Sequence, residues 1–515
     1  MGAVVWLAAL LWLRPLSDPD EGRYAVVALH MLQSGDWVIP RLNGLPFFHK
    51  PPLYYWLAAA GFQVFGVHEW VARLPSLLGA CLASISLWVL LRSDRGLAFA
   101  NAAVIVLLTM PFMYLTAQYA NMDMLLAGCV SACICSAVLA TREQPERRNN
   151  WLVAAGVFAG LGFLAKGLIA IVLPGMVWAL WLVWDRRIRQ WWLPLHPAAW
   201  LPVCVLAGPW VWLVQQRYPQ FLHYFFITQH FERYTQTGFN NPQPWWFYLV
   251  VIAVACLPWT LVAAVLRFRQ WCAHRRSVSR SDTGDAGDTR SLDRLMLVWW
   301  VVVLLFFSLP RSKIVGYVLP ALPAMAYGIV RGLASGFGGS TARDVRAHRI
   351  FLVTAYAAAS ICLLSTVYLG SIGVPAKARW QALRALPSMP ADRMVMVGHL
   401  YYEAPFYMQT QQPALLINDW RGLEAAGKND NWMHEISDAA TFDTQSARHM
   451  LLDAQGLAAY RCAHPAQRLW LIGERAVLDQ LLPAVAMSKP ALMVGQAGVW
   501  LLPAADNLDG FSCHS

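Results

Sequence analysis

A polytopic α-helical membrane protein with a soluble α/β domain at its C-terminal end is the fold class that this 515-residue sequence predicts, and three observations carry it. Hydrophobic residues make up 58% of the chain, charged residues only 13%, and the mean hydropathy is +0.42, which describes a chain solvated mostly by lipid. Apolar runs such as 75–91, 97–116 and 350–372 approach or exceed the roughly 20 residues of a spanning helix, without the alternation of a barrel strand. Beyond residue 372 the pattern changes to short apolar runs at 394–399, 413–419, 468–474 and 498–503, separated by polar helical segments.

Taken in order, candidate spans fall at about 3–16, 75–92, 97–117, 122–141, 151–165, 168–184, 199–215, 245–266, 295–310, 314–331 and 350–372. They make about eleven crossings, with thirteen as the upper count, and divide the chain into a membrane domain, 1–372, and an α/β domain, 373–515. The apolar start has no signal-peptide cleavage pattern, so 3–13 is expected to stay as a short first span; the chain reads as clipped at its start. Arg95, Arg147, Arg148, Arg186, Arg187, Arg189, the 267–294 stretch, Arg343, Arg346 and Arg349 occupy alternate connections. The positive-inside rule then places the first loop, 17–74, and the C-terminal domain outside.

The net charge of +11 follows this topology rather than a nucleic-acid surface. Residues 1–372 carry 29 Lys and Arg against 16 Asp and Glu, and residues 373–515 carry 11 against 13. The Ser-, Asp- and Gly-rich stretch 277–291 reads as a flexible cytoplasmic loop. Most of the ten cysteines lie in apolar spans, where Cys behaves as a small hydrophobe. Cys462 and Cys513, the only two beyond residue 372, are a candidate disulfide if their domain faces an oxidising compartment. The C-terminal domain has no G-x-G-x-x-G or P-loop for a nucleotide.

Chemistry concentrates in the first loop, where SDPDEGRYA (17–25), SGDWVIPRLNG (34–44) and FFHKPPLYYW (47–56) follow one another. Carboxylates beside a bilayer are costly enough to mark function, which singles out Asp20 and Glu21; Asp18 reads as a helix cap. Topology brings Asp123, at the external end of a span, to the same face as Asp20. Lys166 interrupts an apolar stretch, and Lys50 is held before the stiff Pro51-Pro52 pair. With His230, Arg233 and the SLPRSKIVGYVLP segment (308–320), these cations suit a phosphate or pyrophosphate head group at membrane level.

At DPDEGRY (18–24), SGDW (34–37), PRLNG (40–44), KPPL (50–53) and SKIVGYVLP (312–320) the chain resembles the C-type glycosyltransferases, which include lipid A aminoarabinose transferases and protein O-mannosyltransferases. The resemblance is nearest to the aminoarabinose branch. It implies a polyprenyl-phosphate-linked sugar donor, a lipid A or lipopolysaccharide acceptor, and a bacterial inner membrane with the reaction on the periplasmic side. It also implies Asp20 and Asp123 as the catalytic carboxylates, and Lys50, Lys166, Arg233 and Tyr317 around the donor phosphate. Glu21, Arg23, Tyr24 and His49 are then sugar or acceptor contacts. Relatives usually carry Glu where this chain has His49, which leaves the sugar open between aminoarabinose and, for example, a hexosamine. A divalent metal held by His49 and His230 is a further expectation, and no other cofactor is called for.

Transfer from a phosphate needs displacement at the anomeric carbon and electrostatic help for the departing phosphate. Asp20 is the base for a hydroxyl acceptor but an orienting charge for an acceptor phosphate, which is already largely ionised. The absence of an activated nucleophile or a second carboxylate pair favours a single displacement with inversion. Two other readings share the composition: a protein O-mannosyltransferase-like enzyme, and a lipid-linked sugar transporter, which would leave the long acidic first loop without a role.

Overall fold

The computed structural model describes residues 2–232, 242–276, 287–337, 341–384, 391–420, 432–486 and 488–504. Among them, six helices are long and apolar enough to cross a membrane: Leu74–Arg95, Met122–Ala140, Ile188–Arg217, Arg290–Ser308, Val315–Ala334 and Val345–Gly373. Two bent pairs raise the number to as many as eight: Leu97–Thr109 with Pro111–Ala117, at 68°, and Phe247–Ala255 with Trp259–Phe268, at 106°. Both breaks have a proline at hand, Pro111 and Pro258, which cannot donate the helical hydrogen bond and displaces the residue before it from helical geometry. Leu78, Ile85, Val205, Trp212 and Leu364 stand more than half exposed on these helices, an apolar exterior that only lipid solvates well. The protein is a multi-pass membrane protein.

Segment 3–16 is helical only over Gly2–Ala8 and continues as turns, with Leu10 in the left-handed region at φ 65° and Pro15 restricting Arg14. The helix Met122–Ala140 is buried along its whole length. It crosses Leu74–Arg95 at a pair of glycines: a Cβ on Gly128 would lie 2.3 Å from the Gly79 carbonyl oxygen, so the two backbones touch. This contact sets the height of Asp123, one residue into the Met122–Ala140 helix.

The first loop is a folded unit. The helix Asp20–Ser34 leads into strands β1 (Arg41–Leu42) and β2 (Leu45–Pro46), then the helix Leu53–Phe65 and the short helix Glu69–Ala72. The Asn43-Gly44 dipeptide makes the two-residue hairpin turn, both residues having positive φ, 48° and 79°. The Asn43 side chain then reads the backbone of a distant residue: Nδ2 donates to the Ala414 carbonyl at 2.9 Å, and Oδ1 accepts from the Ala414 amide at 2.7 Å.

The C-terminal domain holds a six-stranded sheet in the order β5-β4-β3-β6-β8-β7, built from β3 (Arg393–Val397), β4 (Leu415–Ile417), β5 (Leu451–Leu452), β6 (Leu469–Glu474), β7 (Leu492–Val494) and β8 (Ala497–Leu502). Strands β5, β4, β3 and β6 run parallel, whereas β8 is antiparallel to both β6 and β7. Alternation along the strands gives the sheet two buried faces. Val395, Val397, Leu415 and Leu471 pack against the domain's own Leu457 and Leu478. Met394, Met396, Leu416, Trp470 and Ile472 join a core that includes Tyr24, Val27, Leu42 and Leu45 of the first loop. The domain therefore shares a hydrophobic core with the first loop. Cys462 is disulfide-bonded, and Cys513 lies outside the described residues.

Candidate active site

Six chain segments bring polar groups to one end of the bundle. Asp20 opens the Asp20–Ser34 helix, where a carboxylate complements the positive end of the helix dipole. Arg23, one turn on, donates from Nη2 to Asp20 Oδ1 at 2.9 Å, and its Nη1 pairs with Glu435 of the C-terminal domain. The second oxygen of Glu435 accepts from the Tyr402 hydroxyl at 2.7 Å. The guanidinium lies 5.6 Å from the Tyr24 ring centre and 5.2 Å from that of Tyr402. Burial opposes the Arg23 charge, but Glu435 and neighbouring groups outweigh it and hold the guanidinium protonated. Burial pushes the Asp20 carboxyl above the ordinary carboxylate range, with Arg23 pulling the other way.

On the opposite wall, Lys166 ends the Pro145–Lys166 helix, where a cation meets the negative end of the dipole. Its ammonium pairs with Asp123 and stands 4.4 Å from the centre of the Tyr317 ring. Asn121 caps the Asp123 helix, accepting from the Asp123 amide at 2.8 Å. Gly316, just before Tyr317, lies against the Asp123 carboxylate, and a Cβ there would come within 2.4 Å of Oδ2. No larger residue fits without displacing Asp123.

His49 and Lys50 enter from the first loop. His49 is buried, stacks on Phe47 at 4.6 Å, and has Nε2 3.7 Å from Asp438 Oδ2, beyond hydrogen-bond length. Asp438 lies one helical turn beyond Glu435, accepts from the Tyr224 hydroxyl at 2.9 Å, and has His434 at 3.7 Å. Burial would raise its carboxyl, but His49, His434 and Tyr224 together hold it below the ordinary range.

These groups enclose a polar cavity of about 500 Å³ lined by Asp20, Arg23, Tyr24, His49, Lys50, Asp123, Lys166, Tyr317 and Glu435. A second space of about 440 Å³ shares His49, Lys50, Asp123, Lys166 and Tyr317 and runs on between Leu126, Ile169, Val172, Phe226, Phe306 and Phe307. A polar chamber thus meets an apolar one at a threshold of two lysines. The arrangement suits an amphiphile with a phosphate at its waist.

Among the residues expected from sequence, Glu21 does not line this cavity. It is fully buried in a two-pronged pair with Arg73, at 2.8 and 3.0 Å, and also accepts from the Ser17 and Ala120 amides. Asp18 caps no helix: it lies beside Glu403 of the C-terminal domain, and burial raises its carboxyl. Arg233 lies outside the described residues, as does the side chain of His230, whose backbone belongs to the π-helical stretch His223–Glu232. Among the described residues no group of three or more His, Cys, Asp or Glu side chains is arranged to hold a metal ion. Glu435, Asp438, Tyr402 and Arg73 are site or supporting residues that sequence reading missed.

The family described as dolichyl-phosphate-mannose-protein mannosyltransferase matches residues 49–214. An undecaprenyl phosphate-alpha-4-amino-4-deoxy-L-arabinose arabinosyl transferase of Erwinia tasmaniensis is 30% identical over 319 residues, 61% of this chain and 55% of that protein. A protein of the same description from Sodalis glossinidius is 29% identical over 419 residues, 78% of this chain and 71% of its own length. The chain therefore spans little more than half the length of the first of these relatives. The crystal structure of ArnT from Cupriavidus metallidurans bound to undecaprenyl phosphate shares the fold, with a TM-score of 0.77 across 97% of this chain and 96% of that one at 23% identity. By family match, relatives and fold together, the chain is similar to the protein mannosyltransferases and the aminoarabinose transferases, and it shares the fold of the Cupriavidus protein.

Proposed function

We propose that this protein moves an aminosugar, 4-amino-4-deoxy-L-arabinose or a related sugar such as glucosamine, from a polyprenyl-phosphate carrier to a phosphate of lipid A. The reaction takes place on the periplasmic face of the bacterial inner membrane. The observation that carries the reading is the junction of the polar and apolar chambers at Lys50 and Lys166. Such a junction fits a prenyl chain on one side, a sugar on the other and the phosphate between the two ammonium groups. The names of the relatives and the carrier bound to the Cupriavidus protein support the same donor.

In this reading Lys50 and Lys166 stabilise the charge that grows on the departing phosphate, with Tyr317 beneath Lys166 and Asp123 fixing its ammonium. Asp20, held by Arg23, faces the sugar from the polar chamber, where a carboxylate stabilises positive charge developing at the anomeric carbon and orients the acceptor. The acceptor phosphate, already ionised near neutral pH, attacks directly and inverts the anomeric centre. No step requires a covalent sugar–protein intermediate.

Mass spectrometry of lipid A from cells with and without the gene tests the function. An added pentosamine or hexosamine mass that disappears with the gene is expected. Unchanged lipid A with altered glycoproteins would instead support a protein O-mannosyltransferase-like activity, which the family match over 49–214 keeps as the second reading.

A further inference from the structure

The C-terminal domain reaches the cavity through one helix, Trp432–Phe442, and places two carboxylates there one turn apart. Glu435 engages Arg23 of the DEGRY segment, and Asp438 faces His49 of the HKPP segment. The helix therefore braces both sequence motifs that form the polar chamber. Glu435 is the more telling of the two. Its side chain lines the cavity, is almost wholly buried, and spends one oxygen on Arg23 and the other on Tyr402. Arg23 is itself only 14% exposed and spans from Glu435 to Asp20. A buried guanidinium with two acidic partners has its position set by both, and removal of one leaves the other as its sole anchor.

We propose that Glu435 is a positioning residue for glycosyl transfer: by anchoring one arm of Arg23 it sets where the other arm holds the Asp20 carboxylate. The C-terminal domain is thereby part of the transfer machinery rather than a cover over it. The inference rests on the function proposed above.

Asp20 faces Arg23 and Tyr24 from its own helix, Tyr119 and Asp123 around the start of the Met122–Ala140 helix, Lys166 from the end of its helix, Lys50 across the cavity, and Glu435. Within this set the negative charge of Glu435 disfavours ionisation of Asp20. In Glu435→Gln that charge is gone and Arg23 is left to Asp20 alone, so Asp20 ionises at lower pH.

The experiment measures transfer by the full-length protein in lipid nanodiscs as a function of pH, with carrier-linked aminosugar and lipid A as substrates. Wild-type turnover is the separate control: without it the functional reading fails, whatever the variants do. Glu435→Gln is expected to lower kcat by about 10- to 100-fold while KM for the donor changes little, as for displacement of a reacting group. Its acid limb is expected at lower pH than that of wild type, which a loss of general stability would not produce. Glu435→Asp, which keeps the charge, is expected to keep the wild-type acid limb. An acid limb unmoved in folded Glu435→Gln overturns the proposal, whatever happens to kcat. If Glu435→Gln does not fold, Tyr402→Phe decides: it frees one Glu435 oxygen, and the proposal expects lower kcat at an unchanged acid limb, whereas unchanged kcat overturns it.

Discussion

Asp20 and Glu21 are neighbours on the first turn of one helix, about 100° apart around its axis, so they face different surroundings. Asp20 looks into the cavity with its side chain 38% exposed, while Glu21 is sealed against Arg73 with none. Breaking a buried ion pair by removing one partner strands the other charge. Glu21→Gln is therefore expected to destabilise the protein by about 3–5 kcal/mol, seen as a lowered Tm in detergent, with turnover retained by the molecules that remain folded. Loss of turnover at unchanged Tm would return Glu21 to the reaction. Gly316→Ala tests the opposite wall. Its new methyl group collides with the Asp123 carboxylate, so transfer is expected to fall by about 100-fold, as for a displacement of about 1 Å; wild-type turnover would mean that Asp123 need not sit against Lys166. The acid limb of wild-type transfer should lie above the ordinary range of an aspartate, because partial desolvation in the cavity raises Asp20 and the reaction needs it ionised; a limb within that ordinary range would remove Asp20 as its source. Asp20 and Lys166 stood out in the sequence because charge next to lipid is expensive and therefore conspicuous, Asp123 because topology brings it to the same face, and Lys50 because the stiff Pro51-Pro52 pair follows it. Glu435 was not, because a carboxylate in an ordinary polar helix carries no such mark, and 412 residues separate it from Arg23.

Elements meet where the C-terminal domain docks on the first loop, and that junction carries its own titration. Glu403 lies beside Asp18, and burial together with the Asp18 charge raises its carboxyl to about 8. A carboxyl raised on folding holds its proton more tightly in the docked state. Its contribution is whole below the ordinary pKa of a glutamate and is lost as pH rises through about 8. Thermal melts from pH 5 to 9 should therefore show stability falling over that interval, and Glu403→Gln should flatten the fall; an identical slope in the variant would contradict Glu403 as its source. Of the sheet, β3, β4, β6 and β8 were readable as short apolar runs, whereas β7 was not singled out and β5 spans only two residues, too few for a pattern. In the sequence Asn43-Gly44 stands only within the PRLNG motif, 40–44. Its second use, the grip of Asn43 on Ala414, depends on a tertiary contact that no local pattern encodes.

At the scale of the whole molecule, the chain places a lipid-solvated bundle beneath a domain that shares a core with the first loop, and the cavity lies where they meet. Hydropathy was enough for the class of this architecture, because lipid demands long apolar helices. It was less informative about individual crossings, since prolines at 111 and 258 bend helices that composition alone reads as straight. The proposed role of Asp20 is to act on a carrier-linked sugar in this cavity. Its most direct test is transfer by purified wild-type and Asp20→Asn protein in nanodiscs, supplied with undecaprenyl phosphate-linked aminoarabinose and lipid A, with binding of undecaprenyl phosphate measured in parallel. One pentosamine added to lipid A is expected from the wild type, and in Asp20→Asn retained carrier binding with transfer slowed by at least about 100-fold. Transfer by Asp20→Asn at the wild-type rate would contradict it.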